Sequence, residues 1–481
     1  MKLGIKKQDT INKIGCKVLL INPSISGYEV SGEYKDVGSL LHPYGLLSIG
    51  AVLEKHGHTV KLSDFDSRKY SKDDIKNAIV DFIPDVIGIT VYSSILNNVL
   101  QMTEFIKTFS KALIVAGGPH IILSSDNSAN SDYFDLQCYC EGEYVMLDII
   151  EYFLGHKTLE QIDGIIYKEN GQVIKTKHRE HITNLDELPY PALHLLEDIN
   201  HYRPAIPLFK RKPVMTLIAG RGCPFNCTFC SSIWGKNVRL NSAPYIFGLM
   251  KHMINDFGVK EIMFHEDTFC INKDRIHQLC DLIIKENIDI IWSCSLNIRT
   301  VDEPLLRKMK KAGCWLISVG IESGNNEILK FINKPITVEE AIRVCAWADD
   351  AGLMIRGFFM LGHLIETKQT IRQTIDFSKS LPLFAINISI VTIFPGSKIY
   401  EIANEYGEAK YDVLYGLQSE ESLNFVTKGL TAQYLIKMKR RWYREFFLRP
   451  SQILRILKNI DSMNDIKNYL ILLKTFLKQY L

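Results

Sequence analysis

The feature that most constrains the fold is a double series of short apolar runs, each followed by a stretch of helical periodicity. In the first series, apolar runs at 17–22 (KVLLIN), 59–63, 85–91 (DVIGITV), 112–116 (ALIVA) and 135–140 alternate with helical patterns at 44–56, 74–82 and 97–109. Strands buried on both faces read as continuous apolar runs, and strands alternating with helices at this spacing build a parallel sheet covered on both sides. The expectation for residues 1–155 is a Rossmann-like α/β domain. Ligands of such sheets bind beyond the C-terminal strand ends.

The second series begins at Val214, with apolar runs at 214–219 (VMTLIA), 261–267, 289–295, 315–323, 354–362 and 385–394. Helical patterns at 244–256, 273–286 and 339–351 separate them. Six such units predict a partial (β/α)6 barrel over 213–400, with its chemistry at the C-terminal strand ends. Between the two series, 156–212 reads as a linker with a hairpin at 165–176 turning on Asn170-Gly171, followed by the proline-punctuated Leu188-Pro189-Tyr190-Pro191. Residues 401–481 read as a helical C-terminal region. At 481 residues the chain is longer than one hydrophobic core supports, in keeping with two domains.

Composition narrows the class further. With 46% hydrophobic and 23% charged residues the chain is neither disordered nor fibrous. A net charge of +3 is too small to point to nucleic acid. The excess of base is concentrated at the end, where 437–481 carries 11 Lys or Arg against 3 Asp or Glu. There Ile453, Leu454, Ile456, Leu457 and Ile460, then Leu470, Leu473, Phe476 and Leu477, recur at helical spacing among the basic residues. Two readings compete: a helical layer packed on the barrel, or a peripheral membrane contact that could also cover a lipid-like substrate. The stretch at 8–12 is polar, the run at 18–21 is far too short for a signal-peptide core, and no window of 18 residues is apolar throughout. Together with an odd number of cysteines, eleven, this leads us to expect a cytoplasmic protein with reduced thiols.

Three of the eleven stand apart. Cys223, Cys227 and Cys230 form C-x3-C-x2-C directly after the first strand of the second series, preceded by Gly222 and interrupted by Pro224. Three thiolates can hold three irons of a 4Fe-4S cubane and leave the fourth open. A zinc site generally needs a fourth ligand in paired spacings, and none lies nearby in the sequence. Three ordinary core cysteines are the remaining alternative.

With Phe229 as the aromatic before the third cysteine, this run resembles the radical S-adenosylmethionine superfamily. The resemblance implies that the open iron chelates S-adenosylmethionine, that Phe229 lies near its adenine, and that reductive cleavage gives a 5′-deoxyadenosyl radical. It also implies an electron donor such as flavodoxin or ferredoxin. Further carry-over places Asp267 near the cofactor's amino group and Glu322 and Ser323 at the ribose. It adds Arg299 after the third strand, and Gly357 and Gly362 flanking the fifth. The family's Gly-Pro-Gly-Glu-Thr phrase is altered here to Gly362-His363-Leu364-Ile365-Glu366-Thr367. That change puts local contacts in doubt. Cys270 reads either as a substrate contact or as a small packing residue.

A Rossmann-like domain ahead of such a barrel resembles the cobalamin-binding class of the superfamily, and the likeness extends to NLDELPYPA at 184–192 and YREFFLRPSQIL at 443–454. It implies cobalamin bound at the strand ends: Asn22, Ser93 and Ser94, Gly117 and Gly118, and Glu141 and Gly142. The Asp-x-His-x-x-Gly motif that supplies an axial histidine is absent, which implies base-off binding, and His120 reads as a loop or helix-start residue. A nicotinamide or flavin is the rival, yet no Gly-x-Gly-x-x-Gly follows the first strand. The class implies methyl transfer to an unactivated carbon of a small molecule through substrate-radical capture of methyl from methylcobalamin. Cyclisation and rearrangement, as in the anaerobic porphyrin cyclases, are the alternative. A catalytically silent cobalamin and redox sensor is a rival of a different kind, and the intact cysteine triad argues against it.

Overall fold

The structure, a computed structural model, describes residues 15–24, 38–66, 70–125, 132–411, 423–460 and 463–480. The polar stretch at 8–12 lies outside them. The described residues divide into two compact units, the first made of those up to 198 apart from 38–41, the second of 38–41 and the described residues from 199 onward.

The first unit runs β1 (Lys17–Asn22), α1 (Tyr44–Lys55), β2 (Thr59–Asp64), α2 (Lys72–Phe82), β3 (Val86–Thr90), α3 (Leu96–Lys107), β4 (Leu113–Gly117), α4 (Pro119–Leu123), β5 (Leu136–Cys138), α5 (Gly142–Phe153), β6 (Ile165–Glu169) and β7 (Gln172–Lys175). Its sheet has the order β2-β1-β3-β4-β5-β6-β7, parallel from β2 to β5. Residues 18–21 of β1 are fully buried, as a strand covered on both faces must be. The hairpin expected in the linker is present, with Asn170 and Gly171 both at positive φ, as a two-residue hairpin turn of this hand requires. It is not a linker element, however. β6 and β7 pair antiparallel onto β5 and extend the sheet, because the apolar Ile165-Ile166-Tyr167 needs a partner surface.

The second unit runs β8 (Val214–Leu217), β9 (Gly220–Arg221), β10 (Arg239–Leu240), α6 (Ala243–Phe257), β11 (Glu261–Phe264), α7 (Lys273–Lys285), β12 (Ile291–Leu296), α8 (Glu303–Lys311), β13 (Cys314–Glu322), α9 (Asn326–Phe331), α10 (Val338–Asp350), β14 (Met354–Leu361), α11 (Lys368–Ser380), β15 (Ala385–Ile390), α12 (Lys398–Tyr406), β16 (Gly407–Ala409), β17 (Phe425–Thr427), α13 (Ala432–Phe447), α14 (Pro450–Leu457) and α15 (Met463–Tyr480). The six long strands stand in chain order, β8-β11-β12-β13-β14-β15, all parallel. This is the curled half-barrel. Helix starts are written locally: Ser242 accepts from Tyr245 N–H ahead of α6, and Thr337 with Glu340 forms a reciprocal capping box on α10. Gly357 lies inside β14 and does not flank it. A Cβ there would stand 2.8 Å from Phe359 Cε2 and 2.9 Å from Leu383 Cδ1, so this glycine makes room for packing. Among the described residues the regular elements of the C-terminal region are helices and the antiparallel pair β16 and β17.

Candidate active site

The cysteine loop is framed by β9 and β10, which pair antiparallel and close residues 222–238 into a hairpin-like excursion. Two-residue strands carry no periodicity, so sequence reasoning cannot find them. Gly222 turns the chain at φ +92°, and a Cβ there would lie 2.4 Å from the Asn237 carbonyl oxygen. Cys223 N–H donates to the Gly235 carbonyl at 3.2 Å and Cys230 N–H to the Cys227 carbonyl at 3.2 Å. Two other segments clasp the loop from outside. Thr228 N–H donates to the Ile332 carbonyl at 2.9 Å, Asn333 Nδ2 to the Asn226 carbonyl at 2.9 Å, and Ile399 N–H to the Thr228 carbonyl at 3.0 Å. Phe229 packs on the apolar cluster of Leu364, Ile393 and Ile399.

Of the eleven cysteines, the eight elsewhere are all buried, and only Cys223, Cys227 and Cys230 reach the surface of their loop. Cys270 is among the buried ones, 4.0 Å from Met309 Sδ, which makes it a packing residue. Among the described residues no three ligating side chains converge as they would around a single ion. A cubane asks for something else, since each thiolate takes its own iron. The electrostatics fit such a group. Burial, then Asp267 and the other two thiols, push Cys230 up to about 11, and burial with Glu322 and Cys223 raises Cys227 against the pull of Lys334. Cys227 and Cys230, whose charge is disfavoured by burial and by the neighbouring thiols, are donors that iron would neutralise.

The strand ends supply the surroundings. Beyond β11 the two acids part company. Asp267 takes a 3.4 Å hydrogen bond from Ser232 Oγ on the cysteine loop, whereas the Glu266 side chain is buried with its Oε1 3.6 Å from Arg275. Glu322 ends β13 at φ +65°, where the strand register shifts, and Lys334 Nζ donates to its Oε1 at 2.9 Å. Burial alone would lower the Lys334 ammonium, but Glu322, Cys227 and Cys223 outweigh it and hold the pKa above its usual value. Sequence gives no sign of Lys334, because a lone lysine in an Asn-Lys-Pro turn carries no signal. Ser323 is buried and its hydroxyl is shared with Thr374 Oγ1 at 3.2 Å. Arg299 turns toward the start of α10 and pairs with Glu340 at 3.2 Å, in a half-exposed position. The altered turn after β14 is closed from within. Glu366 accepts from Gly362 N–H and, at 3.2 Å, from His363 N–H, while Thr367 caps α11.

In the first unit the sheet order reverses between β1 and β3, the place where open α/β sheets bind ligands. Asn22 ends β1 there, buried. Its Nδ2 donates to Asp64 Oδ1 at 2.8 Å, and its Oδ1 is buried without a hydrogen-bond partner among the described residues. Ser93 Oγ stands 3.0 Å from His120 Nδ1, joining the loops after β3 and β4, with Ser94 beside it. Gly118, at φ +100°, lets these loops touch: a Cβ would sit 2.7 Å from Thr90 Oγ1 and 3.0 Å from Val91 N. His120 is buried in the first turn of α4, and burial lowers it to about 4, so its ring is neutral. Glu141 is turned to structure, accepting from Ile182 N–H at 2.8 Å, and Gly142 packs against Ile49. A large ligand with an amide-bearing rim, as cobalamin has, fits a strand end offering an unmet buried acceptor and a glycine approach.

A half-barrel bearing three accessible thiols at its mouth, in a chain that also carries a ligand-binding parallel sheet, defines an iron–sulfur enzyme with a second cofactor domain. Residues 217–378 match the Radical SAM superfamily and 35–150 the B12 binding domain. The chain is 30% identical over 459 residues to an uncharacterized methyltransferase of Pyrococcus horikoshii, covering 91% of this chain and 94% of that protein. It is 24% identical to the anaerobic magnesium-protoporphyrin IX monomethyl ester cyclase of Rubrivivax gelatinosus, over 90% of this chain and 78% of the cyclase. Its fold is similar to that of the cobalamin-dependent S-adenosylmethionine radical enzyme OxsB, with a TM-score of 0.74 at 18% identity over 95% of this chain and 70% of that one. It is also similar to the radical S-adenosylmethionine methyltransferase TsrM of Kitasatospora setae, with a TM-score of 0.71 at 16% identity over 91% and 90% of the two chains. The chain therefore belongs to the cobalamin-dependent radical S-adenosylmethionine enzymes, whose cofactors are a 4Fe-4S cluster, S-adenosylmethionine and cobalamin.

Proposed function

We propose that the protein methylates an unactivated carbon of a small molecule, using electrons from a flavodoxin or ferredoxin. What supports methyl transfer over ring closure is the near-full-length likeness to a methyltransferase at 30% identity, against 24% for the cyclase. When bound, the cluster with S-adenosylmethionine supplies a hydrogen-abstracting radical and cobalamin supplies the methyl group. Cys223, Cys227 and Cys230 hold the cluster. Asp267 accepts from the ammonium of S-adenosylmethionine, Phe229 offers its ring to the adenine, and Glu322 is fixed by Lys334 to meet the ribose. Asn22, Ser93, Ser94, Gly117 and Gly118 line the cobalamin end of the first sheet. Ser323, Arg299, Glu141 and Gly142 are engaged elsewhere, and we assign them to positioning.

Methyl transfer consumes two molecules of S-adenosylmethionine, one cleaved to 5′-deoxyadenosine and one spent as methyl donor to cobalamin. Reconstituted, reduced protein given S-adenosylmethionine with a deuterated methyl should therefore place label on cobalamin and release S-adenosylhomocysteine. Formation of 5′-deoxyadenosine with no S-adenosylhomocysteine would favour the cyclase alternative. A second expectation concerns cobalt. His120 is buried and tied to Ser93, so it would not supply an imidazole to cobalamin. The electron paramagnetic resonance spectrum of the cob(II)alamin form should lack nitrogen superhyperfine splitting, and its presence would refute this assignment.

A further inference from the structure

We infer that the outer face of α15 docks the protein on an anionic lipid surface. Soluble proteins scatter their exposed apolar side chains, and a contiguous apolar stripe marks an interaction site. Here 9 of the 15 large hydrophobics exposed among the described residues fall between Leu448 and Leu477. On α15 they form one stripe. Ile466, Leu470, Leu473 and Leu477 recur at steps of four, three and four residues and are 38%, 60%, 50% and 47% exposed, with Met463 at 80% one turn before them.

The helix is not a loose tail that happens to be apolar, because its other face is already used. Leu472 packs on Ile206, Phe209 and Val214, and the Phe476 ring meets Phe447 at 6.0 Å. Packing on the half-barrel therefore explains one side of α15 and leaves the other unexplained. Charge identifies what would cover it. Lys467 and Lys474 are exposed on the same outer face, beside Ile466 and Leu473, Lys458 is exposed just ahead of the helix, and 437–481 carries 11 basic residues against 3 acidic. An apolar stripe flanked by lysines is the pattern of a helix lying in the headgroup layer, where apolar burial and attraction to anionic lipid add. No helix among the described residues is long and apolar enough to cross a membrane, so the contact is peripheral.

The test uses the full chain with phosphatidylcholine vesicles, with and without phosphatidylserine. The wild type should sediment with the anionic vesicles at low salt and be released at high salt. L470Q/L473Q/L477Q alters only exposed positions and should abolish sedimentation while leaving the melting temperature unchanged. K467E/K474E should lower affinity for anionic vesicles at least on the order of tenfold, at about 1 kcal/mol for each lysine near the surface. Equal binding by wild type and both variants, or no binding by the wild type, overturns the inference. So does a wild-type dimer that L470Q/L473Q/L477Q converts to monomer without any vesicle binding, since the stripe would then be covered by a second copy.

Discussion

Replacing Cys223, Cys227 and Cys230 together by alanine should leave a folded protein that holds no iron. The three thiols sit on a loop between two-residue strands and reach its surface, so their loss opens no core cavity, and surface changes of this kind cost little stability. Brown absorption should vanish, and 5′-deoxyadenosine formation from S-adenosylmethionine should fall to background, because in the proposed reaction the cluster is what would pass the electron to the sulfonium. Cys345→Ala, on α10 and buried, is the control and should load iron like the wild type. A full iron complement in the triple variant would transfer the cluster to other residues. Loss of iron in the control would mean that the assay reports folding and not ligation.

The second large effect is on stability as a function of pH. Burial pushes the Glu366 carboxyl up to about 8, against hydrogen bonds from Gly362 and His363 that lower it. Burial likewise raises Glu261 and Glu266 to about 7 each. A carboxyl whose pKa is higher in the folded state binds its proton more tightly there. Its contribution is complete below the ordinary carboxylate value and is lost as pH rises through the folded one. His363 runs the other way. Burial lowers it to about 4, so the folded protein resists a proton that the unfolded chain accepts, and stability falls as pH drops below the ordinary histidine range. Between about pH 4.5 and 6.5, the ordinary values of the two side chains, the trends oppose each other, and three raised carboxyls against one histidine make the net contribution of these four groups fall as pH rises.

Glu366→Gln keeps an oxygen to accept from Gly362 and His363 N–H but cannot ionise. Relative to the wild type, the variant should gain steadily between about pH 5 and 9, by a few kcal/mol in all, at roughly 1.4 kcal/mol for each tenfold change in proton affinity. Denaturant midpoints measured across that range decide it, and parallel curves for the two proteins would show that Glu366 does not titrate in the folded state. Glu366→Leu, which strands two buried N–H groups, should follow the same pH trend but lie about 2–5 kcal/mol below Glu366→Gln at every pH. The same carboxyl accounts for the altered phrase after β14. Proline is gone, but the turn survives because Gly362 keeps its positive φ and Glu366 gathers two backbone donors.

The parallel strands of both sheets were legible in the amino-acid order, because short apolar runs alternating with stretches of helical periodicity leave a covered parallel sheet as the arrangement that buries both. The cysteine triad is legible for a related reason: three cysteines on one short loop are close in space whatever the rest of the chain does. Tertiary structure decided what depends on distant partners. The 165–176 hairpin reads as linker until β5 is seen beside it, and Gly357 reads as a strand-end residue until Phe359 and Leu383 are seen against it. Asp267 and Glu266 are adjacent acids, indistinguishable on paper, and only the fold turns one to the cysteine loop and buries the other. Lys334 owes its place beside Glu322 and the thiols to the turn after α9, and the outer stripe of α15 is apolar toward solvent only because its inner face is already packed. Periodicity records which face of an element is apolar, but long-range packing alone settles which neighbour, if any, that face meets.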